Sequence, residues 1–173
     1  MKAVSLTQPW ATLIAIGAKR IETRSWRTRC HGPIAIHAAQ SFPRDSRSLC
    51  FEEPFREVLY RARMIYPDSE LSFGDERFLL PRGAIVAVAY VVDCLPTGGQ
   101  DAAGTITIDC RHGTLRWELS DRERAFGDFR AGRFAWLLAD VRPLPKPIPC
   151  TGARRLWTVP PDIAQRIGVA VEA

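Results

Sequence analysis

The 173-residue chain lacks any long uninterrupted run of apolar residues. A helix that spans a membrane needs about 20 of them. The first residues, Met1 to Ser5, also lack the apolar core of a secretion signal and lead directly into a predicted strand. We therefore expect a cytoplasmic protein that has no membrane as a partner. The length favours a single domain over residues 1–173.

Metal-ligand spacings are also missing. The five cysteines are at least 16 positions apart, which excludes the short paired spacings of zinc ribbons and redox dithiols. The three histidines, His31, His37 and His112, form no ligand spacing either. The sequence therefore predicts no metal ion and no cofactor. We interpret the cysteines as reduced thiols and His37, at the end of an apolar run, as a structural histidine.

Positive charge is concentrated near the start of the chain. The net charge is +5, with a pI near 9.2. The first 63 residues hold 11 Lys and Arg against 5 Asp and Glu, whereas the remainder holds 13 against 14. Such a distribution is compatible with a polyanionic partner.

The basic excess centres on residues 17–29, which contain five Lys or Arg, one acidic residue and one tryptophan. Cationic side chains bind phosphate, and an aromatic ring stacks on a base. A predicted helix beginning near Pro9 adds N–H groups that attract anions at its N-terminus. The predicted residues for binding a nucleic acid or nucleotide are Gln8, Lys19, Glu22, Arg24, Trp26, Arg27 and Arg29.

Glu22 is the exception in this segment, because a carboxylate weakens the attraction for an anion. It must hold a neighbouring cation, accept a hydrogen bond from a ligand, or act in acid–base catalysis. An alternative interpretation needs no ligand. In a strand, Arg20, Glu22 and Arg24 share one face and would form a solvated row of ion pairs, whereas Lys19 and Thr23 take the other face.

Strand and helix patterns are interspersed along the whole chain. Apolar and β-branched runs predict strands at Lys2–Leu6, Lys19–Ser25, His31–Ala39, Gly83–Leu95 and Gly132–Arg142, with a hairpin over Thr105–Leu115. Helices are predicted before Gly17, along the stripe from Phe51 to Leu59 that Pro54 should start or kink, over Trp117–Phe129 and over Pro160–Ile167, and a turn or loop over Pro96–Gly104. The predicted fold class is α+β, a small β-barrel of five or six strands with short helices packed around it.

Residues 17–24 resemble the ASCH domain, whose signature is G-x-K-x-x-E-x-R, at all four signature positions: Gly17, Lys19, Glu22 and Arg24. The flanks resemble the same family, including Ser5–Trp10 and Gly32–Ala38. This resemblance implies a PUA-like fold, in which helices pack at the openings of a small β-barrel. It also implies a cleft, lined by the signature residues, that receives single-stranded RNA or a nucleotide.

Three functions are compatible with these residues. The first is a module that binds RNA or a nucleotide and acts in RNA metabolism. The second is a metal-independent hydrolase of single-stranded RNA or of N-acylated cytidine. The third is an interaction domain whose basic surface contacts a protein.

The hydrolase interpretation comes from the resemblance, because some ASCH relatives are acetylcytidine amidohydrolases that use Lys, Thr and Glu. Lys19 matches their Lys, but Glu22 stands where they have Thr, and their Glu has no clear counterpart. The catalytic candidates are then Lys19 and Glu22. Glu22 would activate water as a general base, and Lys19 would stabilise developing negative charge.

Overall fold

The computed structural model describes residues 1–66, 78–100, 105–110 and 113–172. Within these ranges the chain forms eight strands and five helices, which confirms the α+β class. The strands are β1 (Lys2–Leu6), β2 (Ile21–Arg24), β3 (Gly32–Ala38), β4 (Ala84–Gln100), β5 (Thr105–Cys110), β6 (Gly113–Glu118), β7 (Arg133–Pro149) and β8 (Leu156–Thr158). The helices are α1 (Trp10–Ala15), α2 (Arg44–Leu49), α3 (Phe55–Arg61), α4 (Asp121–Phe126) and α5 (Pro161–Glu172).

The chain divides into two compact units, each of which contains strands and helices. The terminal unit consists of Met1–Ala18, Ile34–Val88 and Val141–Ala173. The central unit consists of Lys19–Pro33 and Ala89–Asp140. Strands β4 and β7, with 17 residues each, contribute to both units.

The terminal unit is built around β1. This strand pairs in parallel with β3, from Lys2↔Ile34 to Leu6↔Ala38, and antiparallel with β8. Ala3 of β1 and Ala35 of β3 are fully buried, and β3 is buried on both faces from Ile34 to Ala38. Ile163 and Ile167 of α5 pack into the same core, because a spacing of four places both on one face of the helix.

Helix α1 ends at a glycine, as the sequence predicts. Gly17 has a φ of +75° and donates its N–H to the carbonyl of Ile14, and Ala18 donates to the carbonyl of Leu13. These two bonds form a Schellman motif, which requires a left-handed residue at the position of Gly17. The helix spans only Trp10–Ala15, so it is shorter than the sequence pattern suggests.

In the central unit, β2 pairs antiparallel with β7, from Ile21↔Leu137 to Arg24↔Phe134. Strands β5 and β6 form the predicted hairpin, although His112 of its turn lies outside the described residues. Helix α4 follows Ser120, whose Oγ accepts a hydrogen bond from the N–H of Glu123 at 3.2 Å. Helix α4 lies next to the start of β2, because Glu123 accepts hydrogen bonds from the N–H groups of Arg20 and Ile21.

Two features differ from the sequence-based expectation. The strands join in the order β2-β7-β4-β3-β1-β8, with β5 and β6 attached to β4, and the described strands do not close on themselves. The term barrel therefore applies only loosely. Strand β4 also continues to Gln100, where Pro96 and two glycines predict a loop. Pairing with β5 extends it, and a bulge between Thr97 and Gly99 accommodates the irregular residues.

The helices of the described ranges are all too short or too polar to cross a membrane. Of the two roles expected for Pro54, starting or kinking a helix, the structure shows the first: α3 begins directly after it, so Phe51 of the predicted stripe lies outside the helix.

Replacing Gly17 with Ala should lower the free energy of unfolding by about 1 kcal/mol, because an L-residue is strained at this left-handed φ. No atom outside the chain neighbours lies within 4 Å of the added methyl group, so the loss would be conformational. Gly168→Ala, in the interior of α5 and equally free of contacts, is the matched control and should raise stability by about 0.5–1 kcal/mol. Urea unfolding of the two variants measures both values. Equal effects would contradict the assigned role of Gly17.

Candidate functional site

Lys19 lies between α1 and β2, and its side chain is buried. The residue is 0% exposed. Its Nζ donates a hydrogen bond to the carbonyl of Ile21. The same atom lies 4.0 Å from Oε2 of Glu22 and 4.0 Å from Oε1 of Glu123. The lysine is thus an interior ammonium group between two carboxylates.

Glu22 joins this lysine to Arg24. It is 6% exposed, and its Oε1 lies 2.8 Å from Nε of Arg24, the next residue on the same face of β2. The solvated ion-pair row is therefore wrong, because its central carboxylate is buried. The expected separation of Lys19 and Glu22 onto opposite faces is also wrong, because regular strand begins only at Ile21.

Glu123 is the member of the cluster that the sequence analysis missed. Its carboxylate accepts hydrogen bonds from the N–H groups of Arg20, at 3.0 Å, and Ile21, at 2.9 Å. It is 9% exposed. Ser120 and Glu123 have the S-x-x-E spacing of a capping box, a signal for the start of α4. That signal gives no indication that the carboxylate would bind β2, about one hundred residues away in sequence.

Burial dominates the electrostatics of Lys19. Desolvation lowers the pKa of its amine, the carboxylates of Glu22 and Glu123 oppose this effect, and Arg24 adds to it. An ammonium group has three N–H donors, and within the described chain only Ile21 accepts a hydrogen bond from this one. Two carboxylates and two cations give the cluster no net formal charge.

Thr23 faces away from this cluster. Its hydroxyl accepts a hydrogen bond from the N–H of Asp128 at 2.9 Å, and its carbonyl accepts one from Arg133 at 3.3 Å. The strand alternation therefore separates this threonine from Glu22, as the sequence predicts. Thr23 serves to attach the segment that follows α4 to β2.

Two tryptophans lie beside Glu22. Trp136 is directly opposite Glu22 in the β2–β7 register, and such a pair shares one face of the sheet. Trp136 is fully buried, and its Nε1 has no hydrogen-bond partner in the described part of the chain. Trp26 packs edge-on against it, with ring centroids 4.7 Å apart, and is itself half-buried.

The remaining predicted residues have different surroundings. Arg27 and Arg29 are exposed in the central unit and form no hydrogen bond or ion pair with any described residue. Gln8 belongs to the terminal unit and is fully buried. Its amide donates to the carbonyl of Pro81 at 2.6 Å and accepts from the N–H of Thr12 at 3.1 Å, so it supports the first turn of α1.

Among the residues that the structure describes, no group of three or more His, Cys, Asp or Glu residues could hold a metal ion. The Lys19 cluster itself presents a buried amine, two carboxylates and a partly exposed guanidinium group.

Comparison with known proteins identifies one family. The ASCH domain model matches residues 4–143. The ASCH protein of Zymomonas mobilis has a similar solved structure, at 15% identity and a TM-score of 0.47, covering 97% of this chain and 93% of that one. A single-residue mutant of that protein gives 16% identity and a TM-score of 0.47, covering 97% and 96%. No curated protein matches the chain.

The lowered pKa of Lys19 predicts a specific pH dependence of stability. Between that pKa and 10.5, the unfolded chain holds a proton on Lys19 that the folded chain releases, so the folded state gains stability as pH rises. The unfolding free energy of the wild type minus that of Lys19→Met should therefore increase from pH 7 towards pH 10. Urea unfolding at several pH values measures this difference. For Lys146→Met, which removes an exposed lysine, the difference should stay nearly constant. A flat profile for Lys19→Met would contradict desolvation of its amine.

Proposed function

Since the chain belongs to the ASCH domain family, we propose that it binds single-stranded RNA or a nucleotide at the cluster of Lys19, Glu22 and Arg24 and acts in RNA metabolism. The observation that carries this proposal is the incompletely bonded ammonium group of Lys19. A buried polar group normally has its hydrogen bonds satisfied, and exceptions are concentrated where a ligand, a water or a reaction needs them.

The residues divide between an interior and a rim. Lys19 and Glu22 are buried, so they would contact only a ligand group that enters the interior. Arg24 is about a quarter exposed, at 24% of its side chain, and Arg27 and Arg29 are exposed. We assign phosphate binding to these three arginines and assign recognition of a base or sugar group to Glu22. Trp26, half-buried beside Trp136, offers a ring next to the same residues.

Affinity for a short single-stranded RNA should fall steeply as salt is raised, because arginine–phosphate contacts release counterions. Each phosphate contact contributes about −0.7 to the slope of log K against log salt on a single strand. Arg27→Ala should reduce the slope by about that amount, and Arg142→Ala, an exposed arginine of the terminal unit, should leave it unchanged. Fluorescence anisotropy across a salt series provides the measurement. Salt-independent binding would contradict the phosphate assignment.

A second function, hydrolysis of RNA or of N-acylated cytidine, is favoured by the lowered pKa of the Lys19 amine and by the two carboxylates beside it. Desolvated amines with neighbouring carboxylates are typical of acid–base sites. Glu22 would take a proton from a water molecule, whose oxygen then attacks the acyl carbon of N-acylated cytidine or the phosphorus of RNA. The bond from that atom to the leaving amine or ribose oxygen breaks, and the leaving group takes the proton back from Glu22. Lys19 in its protonated form would stabilise the negative charge that develops on the substrate. Because the hydroxyl of Thr23 is turned towards Asp128, it is not the nucleophile of this route, and water takes that role.

Turnover of single-stranded RNA and of N-acetylcytidine by the wild type tests this second function. Glu22→Gln should lower kcat by about 100-fold or more while binding is retained, because it removes the general base and keeps the shape. Glu118→Gln, an exposed carboxylate of the same unit, is the control and should leave kcat unchanged. Absence of turnover on both substrates would reject the hydrolase and leave the binding function as it stands.

A further inference from the structure

The terminal unit contains a large open groove that the ASCH signature residues do not line. Its volume is about 1000 Å³, at the upper end of the range for pockets that hold small molecules. One wall is the segment from Pro149 to Arg154, between β7 and β8. The lining also includes Pro160, Asp162 and Ile163, at the start of α5.

Buried side chains hold the first wall in place. His37 is 2% exposed, and its ring nitrogens lie 3.1 Å from Oγ of Ser5 and 2.9 Å from the carbonyl oxygen of Cys150. Ser5 donates to the carbonyl of Ala153 at 3.0 Å. Gly152 packs so closely that a methyl group there would lie 2.4 Å from the ring of His37. The segment from Cys150 to Ala153 is therefore preformed, which reduces the entropy lost on binding.

The groove contains one cation and one anion. Burial lowers the pKa of His37, so its imidazole is neutral at pH 7. Burial and the Asp162 carboxylate raise the pKa of the Cys150 thiol, so it is neutral as well. The charged residues of the lining are then Arg154 and Asp162.

Hydrogen-bond donors on the first wall are available to a ligand. Arg154 is exposed and has no ion pair or hydrogen bond with any residue of the described ranges. The backbone N–H groups from Thr151 to Arg154 also donate to no described residue. A guanidinium group next to several free N–H groups is suited to a phosphate, which accepts charge-assisted bonds from both.

The rest of the groove is suited to the other parts of a nucleotide. Asp162 is exposed and accepts hydrogen bonds, as sugar hydroxyl groups require. Pro149, Pro160 and Ile163 offer apolar surface for a ring. A simple inorganic anion would use only Arg154 and the N–H groups, and would be repelled by Asp162.

We propose that this groove is a second ligand site, which binds a nucleoside monophosphate unit through Arg154 and the backbone N–H groups of residues 151–154, with its sugar on Asp162. The unit could be a free nucleotide or part of an RNA strand, since both present the same chemistry. The site is independent of Lys19 and its partners.

Titration of the full chain with AMP, adenosine and inorganic phosphate, followed by calorimetry and by backbone amide shifts in NMR spectra, tests the proposal. AMP should bind more tightly than adenosine or phosphate and should shift the amides of residues 151–154 and Asp162. Arg154→Ala should weaken AMP binding about tenfold or more, because it removes charge-assisted bonds. Arg166→Ala, an exposed arginine of α5 outside the groove, is the matched control and should change the affinity less than about twofold.

The source of the unit is identified by competition. An RNA-borne nucleotide is supported if a short single-stranded RNA displaces AMP and if Arg154→Ala also lowers the affinity for that RNA. A free nucleotide is supported if AMP binds and the RNA does not displace it. Arg24→Ala should leave the AMP-induced amide shifts of residues 151–154 intact, whereas any binding of AMP at the Lys19 cluster should weaken, so failure at either site is recognised separately. The proposal is overturned by undetectable AMP binding, by equal affinity for phosphate and AMP, or by an Arg154→Ala variant that binds AMP as the wild type does.

Discussion

The central unit depends on the hydrogen bonds and the ion pair formed by the carboxylate of Glu123. It accepts hydrogen bonds from two consecutive N–H groups, those of Arg20 and Ile21, at the point where β2 begins. It also lies next to the ammonium group of Lys19. Without it, the buried N–H of Ile21 would lose its acceptor, at about 1–3 kcal/mol, the part-buried N–H of Arg20 would lose one as well, and the lysine would lose a counter-charge. A helix residue thus determines both where a strand starts and how a buried cation is tolerated.

The positive and negative charges of the Lys19 cluster balance one another. Lys19 and Arg24 offset Glu22 and Glu123, which allows four ionic groups to share a largely dry interior. Among the described residues, two donors of the Lys19 ammonium group and the Nε1 of Trp136 have no hydrogen-bond acceptor. Both are in the central unit, on or beside β2, where the family signature lies.

The sequence predicted several local features of the fold. Gly17 ends a helix because its backbone conformation is a local requirement, and Glu22 and Arg24 share a face because strand periodicity is local. Features set by distant pairing were not predictable in this way. Strand β4 passes through Pro96 and Gly99 because β5 pairs with it, and the burial of Glu22 depends on β7 and α4. Glu123 was missed for the same reason, since its partners are about one hundred residues away.

Helix α4 is attached to β2 at both of its ends, by Glu123 to the start of the strand and through Asp128 to Thr23. Its outer face carries Asp121 and Arg122, both exposed. An antibody fragment or peptide that binds this outer face and displaces the helix would move the carboxylate of Glu123 away from Lys19 without contacting Lys19 itself. A movement of this helix would therefore change the charge balance around Lys19 as well as the backbone hydrogen bonds at the start of β2.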